Sequence, residues 1–174
     1  IYSNGYPRAA NYQCPDFVKR FIKNQYQVDL SGLGNGGQYS EQSRYDAKML
    51  DQQGSFKVYQ NGGLELPKEN DIISWKSSTG GYGHVGIVVQ VDFDKKIGTG
   101  VLWTAEQNQS PKNGLHSQNI TSSMIDGNTY YTIQPKNQTT SNIPAAFARY
   151  KPPVTNTPSQ QSTANTQRNS IFSK

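Results

Sequence analysis

The apolar residues of this chain change their spacing near residue 55, and that change limits the folds open to it. Before that point apolar side chains recur four residues apart in two pairs, Phe17 with Phe21 and Val18 with Ile22. This spacing predicts an amphipathic helix. After it, short runs rich in Val, Ile and aromatic residues, bounded by Gly, Asp and Asn, predict strands. Helices followed by strands indicate an α+β protein.

Local signals place the helices. Pro15 suits the first turn of a helix that begins near Cys14, because the missing N–H of proline has no intrahelical role there. Ser40 can cap a second helix over residues 41–53, and the stretch GLGNGG at 32–37 breaks the chain between the two. Strands are predicted at 56–59, 71–75, 84–91, 100–108, 130–134 and 145–150. The stretch DFDKKIGTGVLW predicts a long hairpin.

Composition separates a folded body from a polar tail. The chain has 174 residues, 33% of them hydrophobic, with a mean hydropathy of -0.79. From Lys151 onward it is mostly Ser, Thr, Asn, Gln and Pro, which offer little to bury. We therefore expect one folded domain over residues 1–150 and a flexible tail or linker over residues 151–174.

Charge and hydropathy exclude two classes of protein. The tail holds Lys151, Arg168 and Lys174 and no acid, so it carries three of the five net positive charges. The nearly neutral body argues against a nucleic-acid-binding protein. No run of about 18 apolar residues exists, so no membrane span is expected. No signal segment is visible at the start of the sequence.

The single cysteine, Cys14, cannot form an internal disulfide. It lies at the predicted start of a helix, where a negative thiolate is favoured, so we interpret it as a nucleophile. Of the two histidines, His84 opens the apolar run HVGIVVQV, and a strand is a rigid place for a general base. His116 is flanked by turn residues and is interpreted as a surface histidine.

A general base needs a third group to hold its ring, and the stretch TAEQN offers two. Glu106 and Asn108 are two residues apart, so on a strand their side chains share one face. We expect one of them to orient the imidazole and the other to tune the charge or polarity of the site.

Taken together, YQCPDFVKRFI, NDIISW, GHVGIVVQV and TAEQN closely resemble the CHAP domain, the cysteine, histidine-dependent amidohydrolase/peptidase of the papain-like superfamily. The resemblance covers roughly residues 6–150. It implies an α+β, papain-like fold with N-terminal helices packed on an antiparallel β-sheet.

The resemblance also assigns roles to residues. Cys14 matches the nucleophile, His84 the general base, Glu106 the residue that orients the histidine, and Asn108 a further polar member of the catalytic set. Gln13 matches a position that is often Gln before the cysteine, and its side chain or the Cys14 backbone N–H is expected to form the oxyanion hole. Some phage-lysin relatives carry an acid-rich calcium loop before the cysteine. Here that stretch has no Asp or Glu, so we expect no metal and no organic cofactor.

The function that the resemblance implies is hydrolysis of amide bonds in bacterial peptidoglycan stem peptides or crossbridges, through an acyl-enzyme on Cys14. Such an enzyme is expected to be secreted, periplasmic or attached to the cell wall, with a delivery or immunity protein as a candidate partner. The tail is a candidate linker to a wall-binding module or to a delivery partner. Three aromatic residues are candidate walls of the substrate groove: Tyr39, Tyr82 and Trp103.

Two alternatives remain open at this level. Amidases that cleave glutathionylspermidine carry the same YQC, GHV and AEQN stretches, although they normally accompany a synthetase domain. A non-catalytic CHAP-like module that binds wall fragments or a partner protein is the other alternative.

Overall fold

The structure is a computed structural model, and it describes residues 2–3, 6–7, 13–108, 114–135 and 142–154. Two α-helices are present in the described residues, α1 (Cys14–Tyr26) and α2 (Gln42–Met49), with a 3₁₀ helix (Gly36–Ser40) between them. The strands are β1 (Tyr2–Ser3), β2 (Tyr6–Pro7), β3 (Ser55–Gln60), β4 (Ile72–Ser77), β5 (His84–Asp94), β6 (Thr99–Glu106), β7 (Leu115–Ile125), β8 (Asn128–Ile133) and β9 (Asn142–Lys151). The predicted α+β class is confirmed, since two α-helices accompany an antiparallel sheet in the described residues.

Helix α1 begins as the sequence predicts, with Pro15 in its first turn and Asp16 close to the positive end of the helix dipole. It ends at Tyr26 because Gln27 takes a left-handed backbone conformation with φ of 60°, and the Gln27 N–H donates to the carbonyl of Lys23 at 3.0 Å. Helix α2 is shorter than the predicted range of 41–53.

The main sheet has seven strands among the described residues, in the order β3-β9-β4-β5-β6-β7-β8, and every neighbouring pair is antiparallel. Strand β9 lies between β3 and β4, so the end of the domain completes the sheet next to its first strands. Strands β5 and β6 form the predicted hairpin. These two strands carry most of the site described below.

Both faces of the sheet are buried in part. On one face, α1 contributes Val18 and Ile22 to a cluster that also contains Val85 and Ile87 of β5. Each fully buried side chain of this kind stabilises the fold by about 1.5–3 kcal/mol. The opposite face has a second cluster: Ile73, Trp75, Val88, Leu102, Ile120, Ile133 and Phe147. Helix α1 is therefore fixed against the strand that carries His84.

Two differences from the sequence prediction concern the strands: one strand was not predicted, and another ends earlier than predicted. Strand β7 was not predicted, because its inward positions include the polar residues His116 and Gln118 and the alternation of apolar residues is weak there. Strand β6 ends at Glu106, whereas the prediction extended it to Asn108.

The predicted tail over 151–174 begins where β9 ends, at Lys151. Residues 155–174 lie outside the described residues, so the division at residue 150 stays a prediction. In the described part of the chain, no helix has the length and apolar character needed to cross a bilayer.

Candidate active site

A buried hydrogen bond joins His84 to Glu106 across β5 and β6. His84 Nε2 lies 2.9 Å from Glu106 Oε2, and both side chains are almost entirely inaccessible to solvent. His84 is the first residue of β5 and Glu106 the last residue of β6, so the pair occupies one end of the hairpin. Both groups are held by strands, which makes the pair a rigid device for proton transfer.

Gly86 makes room for this pair. It lies directly opposite Glu106 in the β5–β6 ladder. A Cβ atom at Gly86 would lie 2.8 Å from Glu106 Cγ and 2.9 Å from the carbonyl oxygen of Ala105, distances too short for carbon and oxygen neighbours. The second glycine of GHVG is thus required by the carboxylate packed on it.

Thr104 supports the other oxygen of the same carboxylate. Its hydroxyl donates a hydrogen bond to Glu106 Oε1, and its side chain is fully buried. A buried carboxylate needs such partners, because an unpaired charge in the interior is costly. Sequence analysis missed Thr104, although its position two residues before Glu106 on a strand places the two on one face.

Trp75 of β4 packs on the imidazole. The two ring centroids are 5.2 Å apart, and Trp75 lies directly opposite His84 in the β4–β5 ladder. The indole N–H donates to Gln118 Oε1 at 3.1 Å, which fixes the plane of the indole. The unpredicted strand β7 therefore helps to hold the histidine through Trp75.

A glycine-rich contact fixes the backbone of His84. A Cβ atom at Gly36 would lie 2.6 Å from the Cα and C atoms of His84, so the 3₁₀ helix lies directly against this residue. The N–H of Gly37 donates to the carbonyl of Tyr82 at 2.9 Å. Gly83 has φ of 70°, a left-handed conformation that glycine adopts without strain. The GNGG stretch, predicted only as a chain break, positions the start of β5.

Cys14 reaches the same imidazole from the start of α1. Its side chain is buried, and its interaction with His84 is one of the causes that raise the pKa of that imidazole. Because Nε2 faces Glu106, Nδ1 is the ring nitrogen left for the thiol. Three of the four predicted catalytic residues, Cys14, His84 and Glu106, thus form a continuous chain of contacts.

The pKa of His84 reflects two opposed effects. Burial lowers it, because the charged ring loses hydration, whereas hydrogen bonds and charge interactions with Cys14 and Glu106 raise it. The interactions outweigh burial and raise the pKa from 6.5 to about 9. The ring is therefore an imidazolium at neutral pH, ready to donate a proton.

Asn108 does not lie where the sequence predicted. Because β6 ends at Glu106 and Asn108 has φ of 63°, the two side chains do not share a strand face, and the expectation that they do is wrong. The Asn108 amide instead donates from Nδ2 to Gln13 Oε1 at 3.1 Å. The predicted oxyanion-hole residue and the fourth member of the catalytic set are hydrogen-bonded to each other.

A cavity of about 350 Å³ opens over the thiol. Its lining residues come from the start of α1, the GNGG stretch, the β4–β5 loop and the bend after β6: Gln13, Cys14, Pro15, Asn35, Gly36, Tyr82, Gly83, His84 and Asn108. A nucleophile, an acid–base group and amide donors thus face one cavity. This set suits attack on a carbonyl carbon.

Two expectations about individual residues are wrong. His116 is only 6% exposed, because it lies on β7 opposite Thr104 and points inward, so it is not a surface histidine. Tyr39 is fully buried in the core and cannot line a groove. Tyr82 does line the cavity and is 81% exposed, and Trp103 is partly exposed on β6.

In the part of the chain that the structure describes, no three or more His, Cys, Asp or Glu side chains cluster closely enough to hold a metal ion. The expectation of no calcium loop before Cys14 concerns the side chains of residues 1–12, which the structure does not describe, and it stays a prediction.

We expect His84 to titrate with a midpoint near pH 9, measured by NMR of a ¹⁵N-histidine-labelled protein. Since this pKa exceeds the 6.5 of an unperturbed ring, the associated stability is fully present below about pH 6.5. It is lost as the pH rises through about 9. Glu106→Gln should lower the midpoint, because an amide lacks the charge that favours imidazolium. Glu41→Gln, on an exposed carboxylate paired with Arg44, is the control. A wild-type midpoint near 6.5 contradicts the account of the pair.

Gly86→Ala should separate Glu106 from His84, because the new methyl group occupies the space of the glutamate side chain. We expect a loss of about 1–3 kcal/mol in the free energy of unfolding, measured with urea, and a lower His84 midpoint. The matched control is Gly81→Ala, whose methyl group meets only the Ser77 side chain at 3.1–3.5 Å. If both variants behave alike, Gly86 is not required by the carboxylate.

Comparison with known proteins agrees with the geometry. No curated protein matches the chain. The sequence model of the CHAP domain, however, matches residues 1–108, which is more than half of the chain and spans the thiol, the imidazole and the carboxylate described above. The chain therefore belongs to the CHAP domain family.

Proposed function

We propose that this protein is a cysteine amidase or endopeptidase that hydrolyses amide bonds of bacterial peptidoglycan through an acyl-enzyme on Cys14. CHAP domains are in general hydrolytic amidases and peptidases that act on peptidoglycan. The observation that carries the proposal for this chain is the contact chain from the Cys14 thiol through His84 to the buried Glu106. A thiol beside an oriented histidine is the arrangement that covalent catalysis requires.

Acylation begins with attack of the Cys14 thiolate on the substrate carbonyl carbon. The S–C bond forms as the carbonyl becomes an oxyanion. When the tetrahedral intermediate collapses, the C–N bond breaks and His84 gives its proton to the leaving amine. The imidazolium form that prevails at neutral pH is the one this step needs.

Deacylation uses the same ring in its neutral form. His84 takes a proton from water as the water oxygen attacks the thioester carbonyl. The S–C bond then breaks, the acid product leaves, and the thiolate–imidazolium pair is restored. Glu106 keeps the ring oriented throughout, since it bonds Nε2 and leaves Nδ1 toward the thiol.

Two donors are available for the oxyanion. The backbone N–H of Cys14 belongs to the first turn of α1, where N–H groups have no intrahelical acceptor. The next residue, Pro15, has no backbone N–H, so it offers no donor that could compete with the N–H of Cys14. The Gln13 side chain also lines the cavity and supplies the second donor.

The cavity favours a peptide over a polyamine. None of its described lining residues is Asp or Glu, so it offers no carboxylate to the ammonium groups of glutathionylspermidine. The exposed Tyr82 instead offers an aromatic face to a neutral part of a substrate. We propose peptidoglycan stem peptides or crossbridges as the substrate class, and a secreted, periplasmic or wall-associated location.

The nucleophile assignment is tested on purified peptidoglycan sacculi. Wild-type protein should release new amino termini, Cys14→Ala should release none, and His84→Ala should be slower by about 10²–10⁴-fold, as expected for loss of a general acid–base. Iodoacetamide should label Cys14 and stop the reaction. Lys76→Ala, at an exposed position of β4, is the control. Release of amino termini by Cys14→Ala at the wild-type rate would refute the mechanism.

The substrate is tested by comparing sacculi with glutathionylspermidine, with Cys14→Ala as the blank. We expect turnover of sacculi and little of the polyamine conjugate, because none of the described residues that line the cavity is Asp or Glu. Mass spectrometry of the released muropeptides identifies the bond. EDTA should leave the rate unchanged, and loss of activity restored by calcium would reveal a metal site. Similar rates on both substrates contradict the substrate class but not the Cys14–His84 chemistry.

A further inference from the structure

Asn108 has no place on the catalytic imidazole. Nε2 of His84 is bonded to Glu106, and the same ring interacts with Cys14, so the imidazole already has two partners. Asn108 lies beyond the end of β6 and directs its Nδ2 to Gln13 Oε1 at 3.1 Å. Any effect of the Asn108 side chain on the reaction must therefore act by way of its hydrogen bond to Gln13.

The amide of Gln13 is free of any role in the helix. Gln13 is the N-cap residue of α1, yet its side chain makes no capping hydrogen bond. Its carbonyl oxygen Oε1 is occupied by Asn108, so its NH₂ group is the end left over. Gln13 and Cys14 both line the cavity, which places this donor beside the reacting thiol.

The bend that carries Asn108 is tied to the same helix. Arg20 of α1 donates from Nη2 to Gln107 Oε1 at 2.9 Å, one residue before Asn108. Asn108 itself has φ of 63°, a conformation that asparagine tolerates better than most residues. The Arg20–Gln107 hydrogen bond and the left-handed backbone of Asn108 together hold the Asn108 amide beside the start of α1.

We propose that Asn108 is a positioning residue that fixes the orientation of the Gln13 side-chain amide, so that Gln13 Nε2 donates to the substrate oxyanion. The inference rests on the proposed function. An amide has a donor end and an acceptor end of nearly the same shape. Only a partner such as the Nδ2 donor of Asn108 selects which end faces the cavity.

This role makes an unusual prediction for Asn108→Asp. A carboxylate has no donor, so Gln13 must turn its amide to give Nε2 to the aspartate. The acceptor Oε1 then faces the negative charge that develops in the intermediate. The nearly isosteric change should therefore slow hydrolysis as much as complete removal of the Gln13 amide.

Iodoacetamide separates this role from an effect on the thiol. Its reaction with Cys14 displaces iodide at an sp³ carbon and forms no oxyanion, so it depends on the thiolate–imidazolium pair alone. We expect Gln13→Ala and Asn108→Asp to lower kcat on sacculi by about 10²-fold or more, the usual cost of a lost oxyanion donor. The rate of Cys14 alkylation and its pH profile should stay at wild-type values in both.

Two further variants complete the experiment. Asn108→Gly removes the side chain but suits the left-handed backbone at this position. We expect it to hydrolyse sacculi more slowly than wild type, and backbone strain would not explain that loss. The double variant Gln13→Ala/Asn108→Asp should be no slower than Gln13→Ala, because residues that act through one group are not additive.

Three results would overturn the inference while leaving the proposed function standing. Hydrolysis by Asn108→Asp within twofold of wild type removes any need for a selected amide orientation. Parallel loss of hydrolysis and alkylation assigns Asn108 to the Cys14–His84 pair. A double variant slower than Gln13→Ala by the full factor of Asn108→Asp makes the two residues independent. An inactive wild-type protein on all wall substrates refutes the proposed function first, and with it this inference.

Discussion

The hydrogen bond between His84 and Glu106 is buried, and its burial dictates much of the surrounding structure. A charged pair removed from water is costly unless each partner is fully engaged. Glu106 meets this requirement through His84 and Thr104, and His84 through Glu106 and Cys14. Gly86 leaves the volume that the carboxylate needs. These contacts of the surrounding sheet stabilise the buried pair. Those with Glu106 and Cys14 also raise the pKa of the imidazole.

The placement of the thiol depends on a second set of contacts, between helix and sheet. Val18 and Ile22 of α1 pack in the same cluster as Val85 and Ile87 of β5, so the helix start and the strand start are fixed relative to each other. The 3₁₀ helix closes the gap, with Gly36 against the His84 backbone. Hydrophobic packing thus sets the distance between the thiol and the imidazole, on which the proposed mechanism depends. The site is rigid because the elements that carry it, α1 and β5, are packed together in the hydrophobic core.

The prediction of helices and strands from the sequence was correct where the pattern of neighbouring residues is enough to determine the local structure. The start of α1 followed from Pro15, and β5 from a run of apolar residues beginning at His84. It failed at β7, where His116 and Gln118 occupy inward positions that an alternation rule reserves for apolar residues. It failed again at Asn108, because nothing in TAEQN marks the point where β6 stops and the backbone turns left-handed. Both failures fall on polar residues whose partners are distant in sequence, since Gln118 accepts from Trp75 and Asn108 donates to Gln13.

The sequence by itself determined the α+β class, because the periodicity of apolar residues is a local property, and its resemblance to the CHAP domain gave the family and pointed to the thiol, the imidazole and the carboxylate. The tertiary structure places Glu106 at 2.9 Å from the imidazole, as the resemblance implied, and it alone decided that Asn108 contacts Gln13 instead of sharing a strand face with Glu106. These partnerships join residues 22 and 95 positions apart. Strand register and helix packing fix them, and both come from burial of side chains distant in sequence.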